Sequence, residues 1–271
     1  MSGTVLDQIC ARTLETVAAR SAAVTEANLR AGLSQAPPVR DFAAALRTKA
    51  DAGQLALIAE MKRASPSAGT IRSHFDPATI AESYRDAGAA CLSVLTDEPY
   101  FQGQDADLLA ARAASGLPVL RKDFMLTPYQ IIESRALGAD CVLLIMACLT
   151  DAQAQALSEL AGELGMCRLL EVHDAAELDR ALTIKGELIG INNRDLKTLV
   201  TDTATTERLL PRCPPDRMVI SESGLKTHAD LAKLNAVGVG GYLVGESLLK
   251  QPELLVATRR LLGLDQPEAT A

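Results

Sequence analysis

The sequence has 271 residues, of which 48% are hydrophobic and 23% charged, with a formal net charge of −7. This balance is typical of a folded globular protein and excludes a disordered chain. An acidic chain without a basic block is a poor candidate for binding nucleic acids or anionic membranes. No apolar run approaches the roughly 18 residues that a membrane span needs, and the N-terminus does not resemble a secretory signal.

The cysteines indicate the cellular compartment. None is spaced as C-x-x-C and most lie in apolar segments, so we expect reduced thiols in a cytoplasmic protein. The six positions are Cys10, Cys91, Cys141, Cys148, Cys167 and Cys213.

Helix is predicted for about the first 35 residues, because apolar residues recur there every three or four positions. A second short helix is predicted over 42–50, after Pro37-Pro38. The apolar stripe of the first helix comprises Leu6, Ile9, Cys10, Leu14 and Val17.

From Leu55 onward, short apolar runs alternate with longer amphipathic runs. The predicted strands are 55–61, 91–95, 119–122, 141–145, 168–172, 188–192, 218–221 and 241–244. The predicted helices are 77–87, 105–114, 128–137, 151–164, 175–182, 202–210, 227–237 and the segment after Gly245. Glycines that would cap helix ends stand at Gly88, Gly116, Gly138 and Gly165.

Eight strand–helix units predict a parallel sheet that closes into a (β/α)8 TIM barrel. We expect residues 1–271 to form a single barrel domain, with residues 1–50 as a helical N-terminal extension. An open doubly wound sheet is the alternative. It is disfavoured because no G-x-G-x-x-G follows the first strand and no phosphate-binding P-loop motif occurs.

Polar and charged residues follow six of the eight predicted strands, where a barrel enzyme carries its active site. Because side chains alternate along a strand, Glu60 and Lys62 share a face, and with Lys122 they would form a buried charge cluster. Such a cluster can tune an acid for proton transfer. The alternative interpretation is that the lysines and glutamates at the strand ends are solvated loop residues. Likewise, residues 192–195 could form only a turn with Asx hydrogen bonds.

Two further features suggest the shape of the substrate. Ser223-Gly224 and Gly245-Glu246 follow the last two strands, where barrels often bind phosphate, although tight turns would explain the glycines as well. Phe101 and Phe124 lie near strand exits in a chain poor in aromatic residues, so they could flank a flat ring or serve only loop packing.

The histidines do not indicate a metal site, and the cysteines do not indicate a nucleophile. His74, His173 and His228 lack metal-ligand spacing and are interpreted as surface or satisfied side chains. Cys91, Cys141 and Cys167 are interpreted as small core residues rather than nucleophiles.

Four motifs taken together resemble the indole-3-glycerol phosphate synthase family: 60–67 (EMKRASPS), 121–124 (RKDF), 191–196 (INNRDL) and 221–224 (SESG). The similarity extends from Leu6 to about Leu262 and keeps the order of the motifs. It implies ring closure of 1-(2-carboxyphenylamino)-1-deoxyribulose 5-phosphate to indole-3-glycerol phosphate, with loss of CO₂ and water, in tryptophan biosynthesis. It implies no metal and no organic cofactor.

The resemblance also implies catalytic roles. Lys122 would protonate the ketone oxygen of the substrate, and Glu171 would assist the dehydration as acid or base. Lys62 would bind the substrate carboxylate, Glu60 would orient the lysines and stabilise charge on the anilino nitrogen, and Asn192 would position the intermediate.

Further residues would bind the substrate. Phe101 and Phe124 would flank the aromatic ring, Arg194 would position the intermediate, and Glu222 would balance the charge. The residues that would hold the phosphate are Ser65, Ser223, Gly224, Gly245 and Glu246.

Two rival functions remain at this point. A phosphoribosyl isomerase would share the phosphate loops without needing the lysine and glutamate set, and a non-catalytic phosphate-binding protein would need no acid–base residues. We expect a small phosphorylated substrate, no nucleic-acid or membrane partner, and a monomer or a weak homo-oligomer.

Overall fold

The computed structural model describes residues 4–66, 68–195 and 198–265. The α-helices of this part, α1 to α13, are Val5–Ala23, Glu26–Gly32, Phe42–Asp51, Pro77–Asp86, Glu98–Phe101, Asp105–Ser115, Pro128–Ala136, Asp151–Glu163, Ala175–Leu182, Ala204–Leu209, His228–Ala236, Glu246–Leu249 and Leu254–Leu262. Short 3₁₀ turns lie at Leu33–Gln35, Met146–Cys148 and Leu210–Arg212. None of these described helices is both long and apolar enough to cross a membrane.

The strands, β1 to β10, are Leu57–Met61, Ala64–Ser65, Gly69–Thr70, Cys91–Leu95, Val119–Lys122, Cys141–Ile145, Cys167–Val172, Leu188–Asn192, Met218–Glu222 and Gly241–Val244. Eight of them form a closed parallel barrel in the order β1-β10-β9-β8-β7-β6-β5-β4. The barrel closes where β1 pairs with β10, with Ile58 opposite Leu243. The (β/α)8 barrel predicted from the sequence is confirmed.

The predicted strands agree with the observed ones to within two residues at each end. The prediction missed the four-residue helix α5, and it missed a small antiparallel hairpin that β2 and β3 form directly after β1, with Ala64 opposite Thr70. Its two-residue strands are too short to produce a detectable alternation of apolar and polar residues. The four glycines predicted to cap helix ends all have positive φ, between 70° and 98°.

The long N-terminal helix predicted from the apolar stripe is broken in two. Val24 is extended, and the Thr25 side chain accepts a hydrogen bond from the Asn28 backbone N–H at 3.2 Å, which starts α2. Threonine is a favourable N-cap, so it competes with helix continuation. The stripe is also partly wrong, because Leu14 is 48% exposed while Thr13 is buried with Ile9 and Val17 at four-residue spacing.

Two apolar clusters form the core of the protein. One lies between the strands and the surrounding helices, and the other lies inside the barrel with residues such as Ile58, Leu120 and Leu169. Phe42 and Leu46 of α3 are fully buried in the inner cluster, and the Cys91 thiol at the start of β4 contacts the Phe42 carbonyl. Helix α3 therefore closes the amino-terminal end of the barrel, and the other end is left for a site.

Candidate active site

A cavity of about 810 Å³ opens at the carboxyl ends of the barrel strands. All the predicted site residues line it except Ser65. Ser65 is buried in the β2–β3 hairpin, where its hydroxyl accepts a hydrogen bond from the Ala68 backbone N–H at 3.2 Å. Ser67 and Leu196, which belong to the quoted motifs, lie outside the described residues.

Lys122 lies at the centre of the charged side of the cavity. It is the last residue of β5, and its Nζ donates to Glu222 Oε2 at 2.6 Å and to Glu171 Oε2 at 3.2 Å. The three side chains are 13%, 2% and 3% exposed. Strands β5, β7 and β9, far apart in the chain, therefore bring one ammonium and two carboxylates into contact.

Arg121 shows why Lys122 points inward. Neighbouring residues of a strand face opposite sides, so Arg121 points out toward the helices. It is 1% exposed and donates to Glu133 of α7 at 2.9 Å and to Thr96 at 3.0 Å. Arg20 of α1 binds the same Glu133 carboxylate at 2.9 Å. This network fixes β5 and links the N-terminal extension to the strand that carries Lys122.

A second ion pair joins Glu60, near the end of β1, to Lys62, which directly follows the strand, and both side chains are largely buried. Gly245, directly after the neighbouring β10, approaches Glu60 so closely that an added Cβ would lie 2.8 Å from the Glu60 Cβ. Only glycine leaves room there for the Glu60 side chain.

The Glu222 side chain also needs a glycine beside it. A Cβ at Gly190 of β8 would lie 2.3 Å from Glu222 Oε1. Glycine at this position therefore allows the Glu222 carboxylate to occupy the barrel interior and to reach Lys122.

Asn192 and Arg194 both line the cavity. The Asn192 amide donates to Glu171 Oε1 at 3.1 Å, and its carbonyl oxygen accepts from the Arg194 backbone N–H at 3.0 Å. The Arg194 guanidinium lies 4.0 Å from a Glu246 carboxylate oxygen. Asn192 thus orients Glu171 while the guanidinium of Arg194 lies toward the opposite end of the cavity.

The charged groups of this cluster shift the pKa values of their neighbours. Burial opposes the charge of Lys122, but Glu222, Glu171 and Glu60 outweigh it and raise the pKa of its ammonium well above the usual value. Burial likewise disfavours ionised Glu171, but Lys122, His173 and Asn192 hold its pKa well below the usual range. Burial raises the pKa of Glu222 to about 7, against the pull of Lys122. At neutral pH, Glu171 is the ionised partner and Glu222 is the carboxyl that readily takes up a proton.

The opposite end of the cavity is formed by the predicted phosphate loops. Ser223 and Gly224 have φ of 66° and 82°, so the backbone turns sharply after β9. Lys226 and Lys250 also line this end of the cavity, and Lys250 pairs with Glu246 at 2.7 Å. Sequence reasoning missed both lysines. The i, i+4 spacing of Glu246 and Lys250 was a signal for the second.

An aromatic wall completes the cavity. The rings of Phe101 and Phe124 have centroids 6.4 Å apart and planes inclined by 37°. This separation lies in the range of favourable aromatic pairs. Both rings line the cavity, so a flat apolar surface faces the same space as the lysines.

A closed parallel barrel with acid–base residues and glycine-rich anion loops at the carboxyl ends of its strands defines a TIM-barrel enzyme that acts on an anionic small molecule. The solved N-acetylmannosamine-6-phosphate 2-epimerase of Clostridium perfringens shares this fold, with a TM-score of 0.59 at 14% identity over 75% of this chain and 90% of that chain.

Sequence comparison is more specific. The family model described as indole-3-glycerol phosphate synthase matches residues 6–261. Proteins of that name from Azospirillum brasilense and Rhodospirillum rubrum are 55% and 52% identical to this chain, covering 95% and 96% of it and 98% and 99% of the relatives. The chain belongs to the indole-3-glycerol phosphate synthase family.

Proposed function

We propose that this cavity closes the indole ring of 1-(2-carboxyphenylamino)-1-deoxyribulose 5-phosphate and releases indole-3-glycerol phosphate, CO₂ and water, as a carboxy-lyase of tryptophan biosynthesis. The observation that carries the proposal is the placement of Lys122. Its ammonium lies between two carboxylates, in a cavity with an aromatic wall on one side and anion-binding loops on the other.

The two ends of the cavity match the two ends of the substrate. The carboxyphenyl ring lies against Phe101 and Phe124, with its carboxylate on the ammonium of Lys62. The phosphate lies on the backbone of the loops at 223–224 and 245–246, near the guanidinium of Arg194. Glycine allows close approach of the backbone to an anion, and exposed N–H groups bind it.

Ring closure is the first step. The ring carbon that bears the carboxylate attacks the ketone carbon, and Lys122 gives a proton to the ketone oxygen as it becomes a hydroxyl. An ammonium keeps its proton at neutral pH, where a carboxyl of ordinary pKa would already have lost it. Glu60, buried beside Lys62, stabilises the positive charge that develops on the anilino nitrogen.

Decarboxylation and dehydration follow. Loss of CO₂ returns an electron pair to the ring and restores its aromaticity. The hydroxyl then leaves as water with a proton from Lys62, driven by the nitrogen lone pair. Glu171, ionised and oriented by Asn192, accepts the proton lost from the carbon next to nitrogen. Glu222 balances the charge of Lys122 as protons move.

The test is conversion of the synthetic substrate by the purified protein, followed by indole fluorescence and by CO₂ release. The chain contains no tryptophan, so background emission is low. We expect equal amounts of indole-3-glycerol phosphate and CO₂. No indole product at saturating substrate, from protein with a cooperative thermal transition, would refute the proposal.

We also propose that the protein acts in the cytoplasm as a monomer, without a nucleic-acid partner. All six cysteines are free thiols, which supports the cytoplasmic location. Light scattering of the eluting protein tests the oligomeric state, and activity in cell fractions tests the location.

A further inference from the structure

His173 lies directly behind the catalytic carboxylate. It follows β7 by one residue, and its side chain is only 10% exposed. Its Nδ1 is hydrogen-bonded to Glu177 Oε2 at 2.9 Å, and its Nε2 makes an ion-pair contact of 3.2 Å with Glu171 Oε1 that lacks hydrogen-bond alignment. His173 does not line the cavity, so a bound substrate would meet Glu171 and not the imidazole.

Glu177 is held firmly in this arrangement. It stands in the first turn of α9, where its backbone N–H donates to the N-cap Asp174 at 2.8 Å. The carboxylate oxygen that contacts His173 Nδ1 also accepts the His173 backbone N–H at 2.9 Å. The imidazole is therefore fixed on one side by a helix terminus and faces Glu171 on the other.

We infer that His173 and Glu177 form a positioning pair: the imidazolium of His173, clamped by Glu177, orients Glu171 and keeps it ionised so that only its Oε2 exchanges protons with substrate. This inference rests on the proposed function and deepens it. Oε1 of Glu171 already faces the Asn192 amide at 3.1 Å and His173 at 3.2 Å. Oε2 faces Lys122 and the cavity.

The charges around the pair favour the imidazolium. Burial opposes it, but Glu171 and Glu177 outweigh burial and raise the pKa of His173 to about 10. Glu171 in turn faces Lys122 of β5 and Asn192 of β8, with Glu222 of β9 on the far side of the lysine. Cys148, in the turn after β6, adds no charge, because its contact with Cys10 and its burial raise the pKa of its thiol, with smaller contributions from Glu171 and Glu177.

The first test is kinetic. His173→Gln keeps a polar side chain but removes the charge, and we expect kcat to fall about 10- to 100-fold with KM changed less than threefold, as for partners that orient a functional group from behind. Glu177→Gln should act in the same direction. His228→Gln is the matched control, because His228 lies away from the cavity and contacts the Leu261 carbonyl at 3.1 Å.

A double-mutant cycle separates positioning from simple structural support. If His173 acts through Glu171, adding His173→Gln to a Glu171→Gln protein lowers kcat by less than threefold further. Independent losses that multiply would overturn the inference. So would wild-type kcat in His173→Gln. Inactivity of the wild-type protein would instead refute the proposed function.

The second test does not depend on turnover. Nuclear magnetic resonance of ¹⁵N-labelled histidine should show His173 as an imidazolium at pH 8 in the wild-type protein, and as the neutral form in Glu171→Gln or Glu177→Gln. A neutral His173 at pH 8 in the wild-type protein would overturn the inference even if the protein is an active synthase.

Discussion

Replacing Lys122 by methionine removes the ammonium while leaving a side chain of similar length. Two hydrogen bonds are lost, of 2.6 Å to Glu222 and 3.2 Å to Glu171. The proposed general acid disappears with them. General acid catalysis contributes about 10²- to 10⁴-fold, so we expect kcat to fall by at least 10²-fold. At about 1.4 kcal/mol per tenfold, this is a rise of roughly 3–5 kcal/mol in the activation barrier.

The stability cost should be smaller than that of an unpaired buried charge, which is about 3–5 kcal/mol. Glu222 already has a pKa near 7, and loss of the neighbouring ammonium raises it further. Glu222 then takes up a proton at neutral pH and remains uncharged. We therefore expect Lys122→Met to fold with a melting temperature only a few degrees below that of the wild-type protein.

The assay is indole fluorescence under saturating substrate, with single-turnover measurements for the slow variant. Lys185→Met is the control, because this exposed lysine lies in the loop between α9 and β8, at the amino-terminal end of the barrel. A Lys122→Met protein that keeps kcat within threefold of the wild-type value at an unchanged melting temperature would refute the assignment of the acid.

Three further predictions concern the frame of the site. Arg121→Met removes a buried guanidinium that contacts Asp123 and shares the Glu133 carboxylate with Arg20. It should lower the free energy of unfolding by about 3–5 kcal/mol in guanidinium titrations, and a loss below about 1 kcal/mol would contradict this. Burial raises the pKa of Asp97 to about 6. The wild-type protein should therefore lose stability relative to Asp97→Asn as pH rises from about 4 to about 6, and the two stabilities should change in parallel above that pH. The same pH dependence of both proteins in urea titrations would contradict this prediction. Gly190→Ala should displace Glu222 and lower kcat by about 10- to 100-fold, whereas unchanged kcat would mean that the position of this carboxylate is unimportant.

The barrel could be predicted from the sequence because buried parallel strands are continuous apolar runs, and because glycines mark the ends of several helices between them. The converging side chains could be predicted for a related reason: in a closed parallel barrel, all strand ends point to one rim. Glu60, Lys122, Glu171 and Glu222 meet there although no local pattern joins them. Their contacts follow from topology and not from spacing.

Other features depend on three-dimensional packing and left no sequence signal. Ser65 lies in a hairpin whose strands are too short to detect and is not among the residues that line the cavity, so its place at the phosphate stays a prediction. Arg121 appeared as one charge among others in a motif, and only its burial against two helices shows its supporting role. His173 was interpreted as surface or satisfied, and its contact with Glu171 requires knowing where α9 begins.

The closure of the barrel between its first and last strands has a consequence for the order of events during synthesis. Glu60 leaves the ribosome long before Gly245, which packs against it. Until β10 docks, the rim is an open horseshoe, and both the phosphate loops and the charged cluster lack a neighbour. A protein truncated just before β10 should therefore lose substrate binding and stability together, which binding and thermal-unfolding measurements would check.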